Sequence, residues 1–332
     1  MAVQENHIRP LNLKEEQKKR FKIDIDNIGK RLKEFVYTNC PACDLNNYNF
    51  KFEKYNFTYV ECKNCHSLYV NPRPTPEILN WYYKNSENYK FWNKFIFPQS
   101  EKSRVENIFK PRLKRVLNIC DKEKVNKDLF LEVGPGFGTF GKLMKDENYF
   151  KRYIAVEPMP DLAKSCRKKG LDVIEKNIED INLKKNKASV IAFFEVIEHL
   201  YSPKNFLVNL KKLLKKNGLL FITCPNFHGF EVQTLGKVSD TVDIEHLNYF
   251  NISSLSKLLE NSGYLVVESF TPGVLDLDIV LNKIKSKEFK IDADHFLNFF
   301  LKSNHEKSSV SFQKFLIENK LSSHMWIVAK NL

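Results

Sequence analysis

Leu129-Phe130-Leu131-Glu132-Val133 is a short, mostly apolar run that stops at Gly134-Pro135-Gly136-Phe137-Gly138. A run of that length, bounded by glycine, predicts a buried strand, and the glycines predict a tight turn. Glycine bends the backbone sharply and lets a ligand approach with no Cβ in the way. Thr139 to Lys145 continues as a helix, and Tyr153-Ile154-Ala155-Val156 is a second strand. Glu157 ends that strand, 19 residues past Gly138. An acidic side chain there can accept hydrogen bonds from both hydroxyls of a ribose. Strand, glycine loop, helix, strand and acid together predict a site for a nucleotide-like cofactor.

The alternation continues. Asp161 to Lys169 reads as a helix ended by Gly170, and Leu171 to Ile174 and Ser189 to Phe194 as strands. Ser202-Pro203 opens a helix closed by Asn217-Gly218. Leu219 to Thr223, Tyr264 to Ser269 and His324 to Ala329 are further strands, with a helix at Ile252 to Asn261. The prediction is an α/β fold, a Rossmann-like doubly wound sheet of seven strands covered by helices on both faces. This domain spans 121–332, with 271–322 a helical insertion before the last strand. Upstream, 1–37 is a helical segment and 38–76 holds two cysteine pairs. Asn71-Pro72-Arg73-Pro74-Thr75-Pro76 is expected to be a linker. Residues 77–120 are an aromatic, helical connector or lid.

The 332 residues include 27 Phe, 13 Tyr and 3 Trp, too many buriable rings for a disordered chain. No apolar run approaches the ~18 residues of a membrane span, and no apolar leader opens the chain. The expectation is a cytoplasmic protein with no membrane insertion. The net charge is +13, but 44 of the 53 basic residues are Lys. Arg is the residue that forks onto phosphates and guanine edges, so the charge favours a small anionic partner over nucleic acid, without excluding the latter.

Two ligand classes fit the loop. A dinucleotide fingerprint has glycine at its first, third and sixth positions. Here they fall at the first, third and fifth, with Glu132 two residues ahead. This E-x-G-x-G-x-G form resembles motif I of class I S-adenosylmethionine-dependent methyltransferases. The resemblance extends over Tyr153 to Pro158 and Lys176-Asn177-Ile178-Glu179-Asp180. It also takes in Phe193-Phe194-Glu195-Val196-Ile197-Glu198-His199-Leu200 and Asn217 to Asn226. It covers about residues 108–332. It implies that Glu132, Gly134, Gly136, Gly138, Glu157, Asn177, Ile178 and Phe194 bind the cofactor, and that the seventh strand runs antiparallel to the rest. Asn177 stands where the family often has Asp.

Cys40-x-x-Cys43 and Cys62-x-x-Cys65, 18 residues apart, match a zinc-ribbon spacing. Four thiolates leave no open position, so the zinc expected there is structural. Cys40 to Pro76 resembles the N-terminal zinc-binding region of a branch of bacterial methyltransferases, many of which are encoded with, or act in, sugar and surface-glycan modification.

Glu195, Glu198 and His199, at i, i+3 and i+4, would share one face of a helical turn. A further histidine, His246, lies in Asp243-Ile244-Glu245-His246-Leu247-Asn248-Tyr249-Phe250. The E-x-x-E-H segment with a downstream His resembles the metal-binding pattern of some class I O-methyltransferases. The resemblance implies a divalent ion, magnesium or manganese, on Glu195, Glu198, His199 and His246. Two other readings stand beside it: a metal-free His199 as general base, and a structural role. His228, after the fifth strand, is a secondary candidate for acceptor contact. The function expected is S-adenosylmethionine-dependent O-methylation of a sugar, nucleotide-sugar or related small anionic acceptor. An RNA methyltransferase and a non-catalytic cofactor-binding module are the alternatives.

Overall fold

The computed structural model describes residues 4–183, 187–291, 296–303 and 306–332. Eleven strands are described: β1 Tyr48–Lys54, β2 Phe57–Cys62, β3 Leu68–Val70, β4 Leu129–Val133, β5 Arg152–Val156, β6 Asp172–Ile174, β7 Ala188–Phe194, β8 Leu214–Pro225, β9 Asn248–Tyr249, β10 Tyr264–Phe270 and β11 His324–Asn331. The helices begin with α1 Lys14–Gly29, α2 Pro76–Asn85, α3 Glu87–Phe91, α4 Phe97–Arg104 and α5 Lys110–Lys122. They continue with α6 Thr139–Asp146, α7 Pro160–Lys168, α8 Pro203–Leu213, α9 Phe230–Leu235, α10 Ile252–Asn261, α11 Asp276–Lys285, α12 Phe296–Ser303 and α13 Glu306–Glu318.

Seven strands form one sheet in the order β10-β11-β8-β7-β4-β5-β6. β4, β5, β6, β7 and β8 pair in parallel, and β11 is antiparallel to both β8 and β10. Every residue of β4 and β7 is buried, as central strands covered on both faces require. Alternation along these strands divides the core. Leu129, Leu131, Ile191 and Phe193 pack against α8 and α10 through Leu207, Leu210, Leu255 and Leu258. Phe130, Val190 and Ala192 pack against α5 and α6 through Val116, Phe140 and Met144. Each such fully buried side chain contributes about 1.5–3 kcal/mol.

β1, β2, β3 and β9 form a second, antiparallel sheet. β1 and β2 are joined by Tyr55 and Asn56, both at positive φ, the two-residue turn that suits a right-handed hairpin twist. β9 comes from the segment after β8 and pairs with β3 at Leu68↔Tyr249 and Tyr69↔Asn248. The cysteine pairs are thereby fastened to the large sheet's own chain.

Three expectations are corrected. Helix α8 ends at Leu213, not at Asn217-Gly218, and Asn217 instead bends β8 at φ +60°. The Pro-rich stretch is no loose linker: Arg73 is 1% exposed and forms a bridge with Val36. Its guanidinium donates to the carbonyls of Val70, Tyr201 and Leu247 at 3.3, 3.1 and 3.5 Å. Three N–H-rich nitrogens satisfied by backbone carbonyls make a buried cation tolerable. Within the 1–37 segment, expected to be helical, the α-helix is confined to Lys14–Gly29. In the lid region, five-residue π-turns at Trp92–Ile96 and Val105–Phe109 precede Pro98 and Pro111. A proline cannot donate to the preceding turn, and a widened turn absorbs the misfit. The insertion carries the helices α11, α12 and α13, and 292–295 and 304–305 lie outside the described residues. Among the described residues, no helix is long and apolar enough to cross a membrane.

Candidate active site

The glycine loop leaves β4 where Gly134 N donates to Val156 O at 3.0 Å, locking the turn to the end of β5. Gly134, Gly136 and Gly138 all have positive φ, from +55° to +71°. A Cβ on Gly134 would meet Val196 Cγ2 at 2.8 Å, and one on Gly138 would meet Cys166 Sγ at 2.9 Å. A Cβ on Gly136 would meet nothing within 4 Å, so of the three loop glycines this one faces open space. Glu157 is 4% exposed and accepts from Met159 N at 2.9 Å. Burial pushes its carboxyl up to about 7. Glu132 lies beneath the loop, its carboxylate hydrogen-bonded by the Tyr153 hydroxyl, and burial pushes it to about 7 as well. Asn177 is exposed after β6, where it precedes the short 3-10 turn Ile178–Asp180, and Ile178 is buried. Phe137, at the tip of the loop, stacks on Phe97 of α4 with centroids 3.9 Å apart. Glu101 of α4 accepts from Thr139 Oγ1 at 2.7 Å and pairs with Lys169. The aromatic connector therefore caps the loop.

At the carboxyl end of β7, Glu198, His199 and His246 present ligand atoms within 4.8 Å of one another. Asn248 Nδ2 draws the two segments together, donating to the carbonyls of Leu200 and Ile197 at 2.7 and 3.2 Å. Leu247 N donates to Glu198 O at 2.8 Å. Glu198 is 1% exposed, and neither carboxylate oxygen has a hydrogen-bond partner. Burial, then the neighbouring Glu195 charge, holds its carboxyl well above the usual range. His199 Nδ1 lies 3.1 Å from Glu245 O, and His246 Nδ1 lies 2.8 Å from Thr241 O. A carbonyl only accepts, so each Nδ1 carries a proton, and in the neutral ring the lone pair is on Nε2. Burial and the adjoining His246 push the His199 imidazole down to about 3, so it is neutral at physiological pH.

Glu195 does not join this group. The helical turn covers only Ile197–His199, and Glu195 sits before it at φ +56°. That backbone sends its side chain to Thr223 Oγ1 at 2.5 Å, His324 Nε2 at 2.7 Å and Arg112 Nη2 at 3.7 Å. The expected set of four thus divides into three gathered residues and one apart. His228 is exposed and stands near His66, with centroids 6.5 Å apart, outside the cluster. Phe194 is buried, and the Arg112 guanidinium carbon lies 4.4 Å from its ring centroid.

Several residues here carried no sequence signal. His324 and Arg112 reach Glu195 from 129 and 83 residues away. Glu245 accepts from Tyr82 Oη at 2.9 Å and Asn88 Nδ2 at 3.2 Å, tying the connector helices to the His246 segment. The buried Tyr83 hydroxyl has no partner, and its ring centroid lies 6.4 Å from that of His199. An aromatic cluster at helical spacing announces a roof, but not which ring touches the site.

The four cysteine Sγ atoms also lie within 4.8 Å of one another. Cys40 and Cys65 are 3.5 Å apart, as are Cys43 and Cys62. The two pairs share one knuckle geometry. Asp44 N donates to Cys40 O and His66 N to Cys62 O, and both Asp44 and His66 have positive φ. His66 thus closes a knuckle and is exposed, rather than serving as a ligand.

Residues 103–269, half of the chain, match the family model described as a methyltransferase domain. The chain belongs to the methyltransferase-domain family. A C-methyltransferase of Streptomyces niveus, NovU, is 25% identical over 177 residues, which are 51% of this chain and 41% of NovU. The methyltransferase-domain chain thus spans about two fifths of that relative. The uncharacterized protein MJ1123 of Methanocaldococcus jannaschii is 24% identical over 218 residues, 63% of this chain and 93% of MJ1123. Among solved structures, an S-adenosylmethionine-dependent methyltransferase from Clostridium acetobutylicum covers 72% of this chain and 98% of its own, at 10% identity and a TM-score of 0.47. The seven-stranded sheet with its antiparallel β11 is the fold expected of a methyltransferase domain.

Proposed function

We propose that this chain is a cytoplasmic S-adenosylmethionine-dependent methyltransferase that O-methylates a sugar, nucleotide-sugar or related small anionic acceptor in glycan or secondary-metabolite biosynthesis. The observation that carries the reading is the juxtaposition at one sheet edge. A glycine loop with an open position at Gly136 and a ribose acceptor, Glu157, stand at the ends of β4 and β5. The glutamate and histidine groups stand at the ends of β7 and β8. Ligands of open α/β sheets bind in this crevice. The cofactor supplies an electrophilic methyl group when bound. Glu157 orients the ribose, the Phe97–Phe137 cap limits water entry, and the acceptor is held at the β7 end.

The residues Glu198, His199 and His246 fit a divalent ion: an unpartnered buried carboxylate faces two imidazoles whose Nε2 lone pairs remain available. Such an ion would act as a Lewis acid on the acceptor hydroxyl. Cys40, Cys43, Cys62 and Cys65 fit a structural zinc. A carbon acceptor is the second reading, favoured by the similarity to NovU over half of this chain. Transfer from methyl-labelled cofactor to a panel of nucleotide sugars, against total RNA, tests the proposal. Labelled nucleotide sugar supports it, and NMR of the product assigns oxygen or carbon. Label in RNA alone overturns it.

Two predictions arise here. Affinity for S-adenosylhomocysteine should fall as pH drops through 7. The Glu157 carboxyl has its midpoint at about 7, so it is the accepting carboxylate above that pH and protonated below it. The loss approaches tenfold per unit below the midpoint. Glu157→Gln should remove that component of the profile, separating it from Glu132, whose carboxyl also lies at about 7. Calorimetry across pH 5.5 to 8.5 checks this. Phe97→Ala should speed product release about two- to twelvefold, because a stacked aromatic pair contributes about 0.5–1.5 kcal/mol. Stopped-flow displacement measures it.

A further inference from the structure

We propose that His324, held by Glu195, is the residue that takes the proton from the methyl acceptor; this rests on the methyl-transfer reading above. His324 is the first residue of β11 and lies opposite Pro225 at the end of β8. Because β11 is antiparallel, its start meets the ends of the parallel strands, the edge where the site lies. The Nε2 atom of His324 is 2.7 Å from Glu195 Oε1. In the neutral ring, Nε2 then carries the proton and Nδ1 the lone pair. Among the described residues, the side-chain hydrogen bond of His324 is the one through Nε2, and a third of the side chain is exposed.

The support beneath this pair is built. Glu195 is fixed by Thr223 Oγ1 at 2.5 Å and by its own amide, which donates to Thr223 O at 3.0 Å. Arg112, 9% exposed at its side chain, stands 3.7 Å behind it. A non-glycine residue at φ +56° costs about 1–3 kcal/mol, and such strain persists where the surroundings over-determine it. Asp276, the other carboxylate near His324, is occupied by Ser322 Oγ, Ser323 N and Gln313 Nε2. His199 is placed differently. Its Nδ1 is tied to Glu245 O, and its ligand atom gathers with those of Glu198 and His246. His324 alone of these histidines pairs with a carboxylate anchored at the β7 end while keeping a nitrogen open.

In the step proposed, a lone pair of the acceptor oxygen forms the new bond to the methyl carbon while the O–H bond breaks and its electron pair returns to the oxygen. The carbon–sulfur pair stays on sulfur, leaving a neutral thioether. The proton goes to His324 Nδ1, and the resulting imidazolium is balanced by the Glu195 carboxylate. Glu195 here is a positioning residue, and His324 the base.

The test has two parts. Ring ¹⁵N shifts of the full-length chain, with no acceptor present, should show neutral His324 protonated on Nε2, and Glu195→Gln should disturb that state. A proton on Nδ1 overturns the proposal. With the nucleotide-sugar panel, His324→Gln should lower kcat at least a hundredfold while leaving S-adenosylhomocysteine affinity within twofold. Measured for the acceptor at saturating cofactor, it should also remove the acidic limb of the kcat/KM profile, which a structural role would not do. Glu195→Gln should lower kcat about tenfold and keep that limb. Unchanged kcat in His324→Gln overturns the proposal. A wild type that binds cofactor but methylates nothing defeats the methyl-transfer reading, and the pair is then judged by the tautomer.

Discussion

Cys43→Ser is expected to cost the chain the zinc proposed for its four cysteines and to abolish methyl transfer, although Cys43 lies in the turn before β1, outside the sheet that carries the glycine loop. Four thiolates at ribbon spacing, gathered within 4.8 Å, should hold about one zinc per chain. Structural zinc contributes folding free energy of about 10–16 kcal/mol in isolated zinc-finger peptides, so the knuckles should not persist without it. The loss should then travel. Asn251, which caps α10, donates through Nδ2 to the carbonyls of Cys65 and His66 at 3.0 and 3.1 Å. β9 pairs with β3, and His246 lies two residues before β9. Releasing the cysteine knuckle frees the segment that places His246 beside His199. Elemental analysis and thermal unfolding check the first half, and histidine-region NMR the second. Zinc-free protein with a wild-type melting profile would refute it.

Gly136→Val is expected to cut cofactor affinity at least a hundredfold while the chain still folds. The position is open, since an added Cβ meets nothing within 4 Å. Its φ of +55° makes a β-branched residue cost about 1–3 kcal/mol, which a domain of this size can bear. The side chain would then occupy the space a cofactor backbone contact requires. Gly138→Ala makes the contrast. There a Cβ would meet Cys166 Sγ at 2.9 Å and Cys166 Cα at 3.2 Å, so the loss should fall on stability first. Paired melting curves and calorimetric titrations with S-adenosylhomocysteine separate the two. Equal loss of stability in both variants would contradict the reading of an open cradle.

What was legible in the sequence was local in kind. A five-residue apolar strand running into spaced glycines, and an acid at the next strand's end, are written along the chain, and β4, β5 and Glu157 lie where that pattern put them. Two C-x-x-C pairs likewise announced a sulfur cluster. The acceptor side was only half legible. The i, i+3, i+4 spacing of Glu195, Glu198 and His199 presumes a continuous helical turn, and one residue at positive φ was enough to part Glu195 from the others. His324 pairs with Glu195 because an antiparallel strand returns after a helical insertion, and no local pattern encodes that register. Arg73 shows the same limit. In sequence it lies among prolines, and only the three-dimensional fold supplies the carbonyls that make its burial possible.

The central claim is that the glycine loop and Glu157 cradle S-adenosylmethionine in a working methyltransferase site. Isothermal titration of S-adenosylhomocysteine into the zinc-replete chain tests it most directly. Saturable binding at about one site per chain is expected, weakened by Glu157→Gln and lost in Gly136→Val. No binding to the folded wild-type chain, or NAD binding in its place, would contradict it.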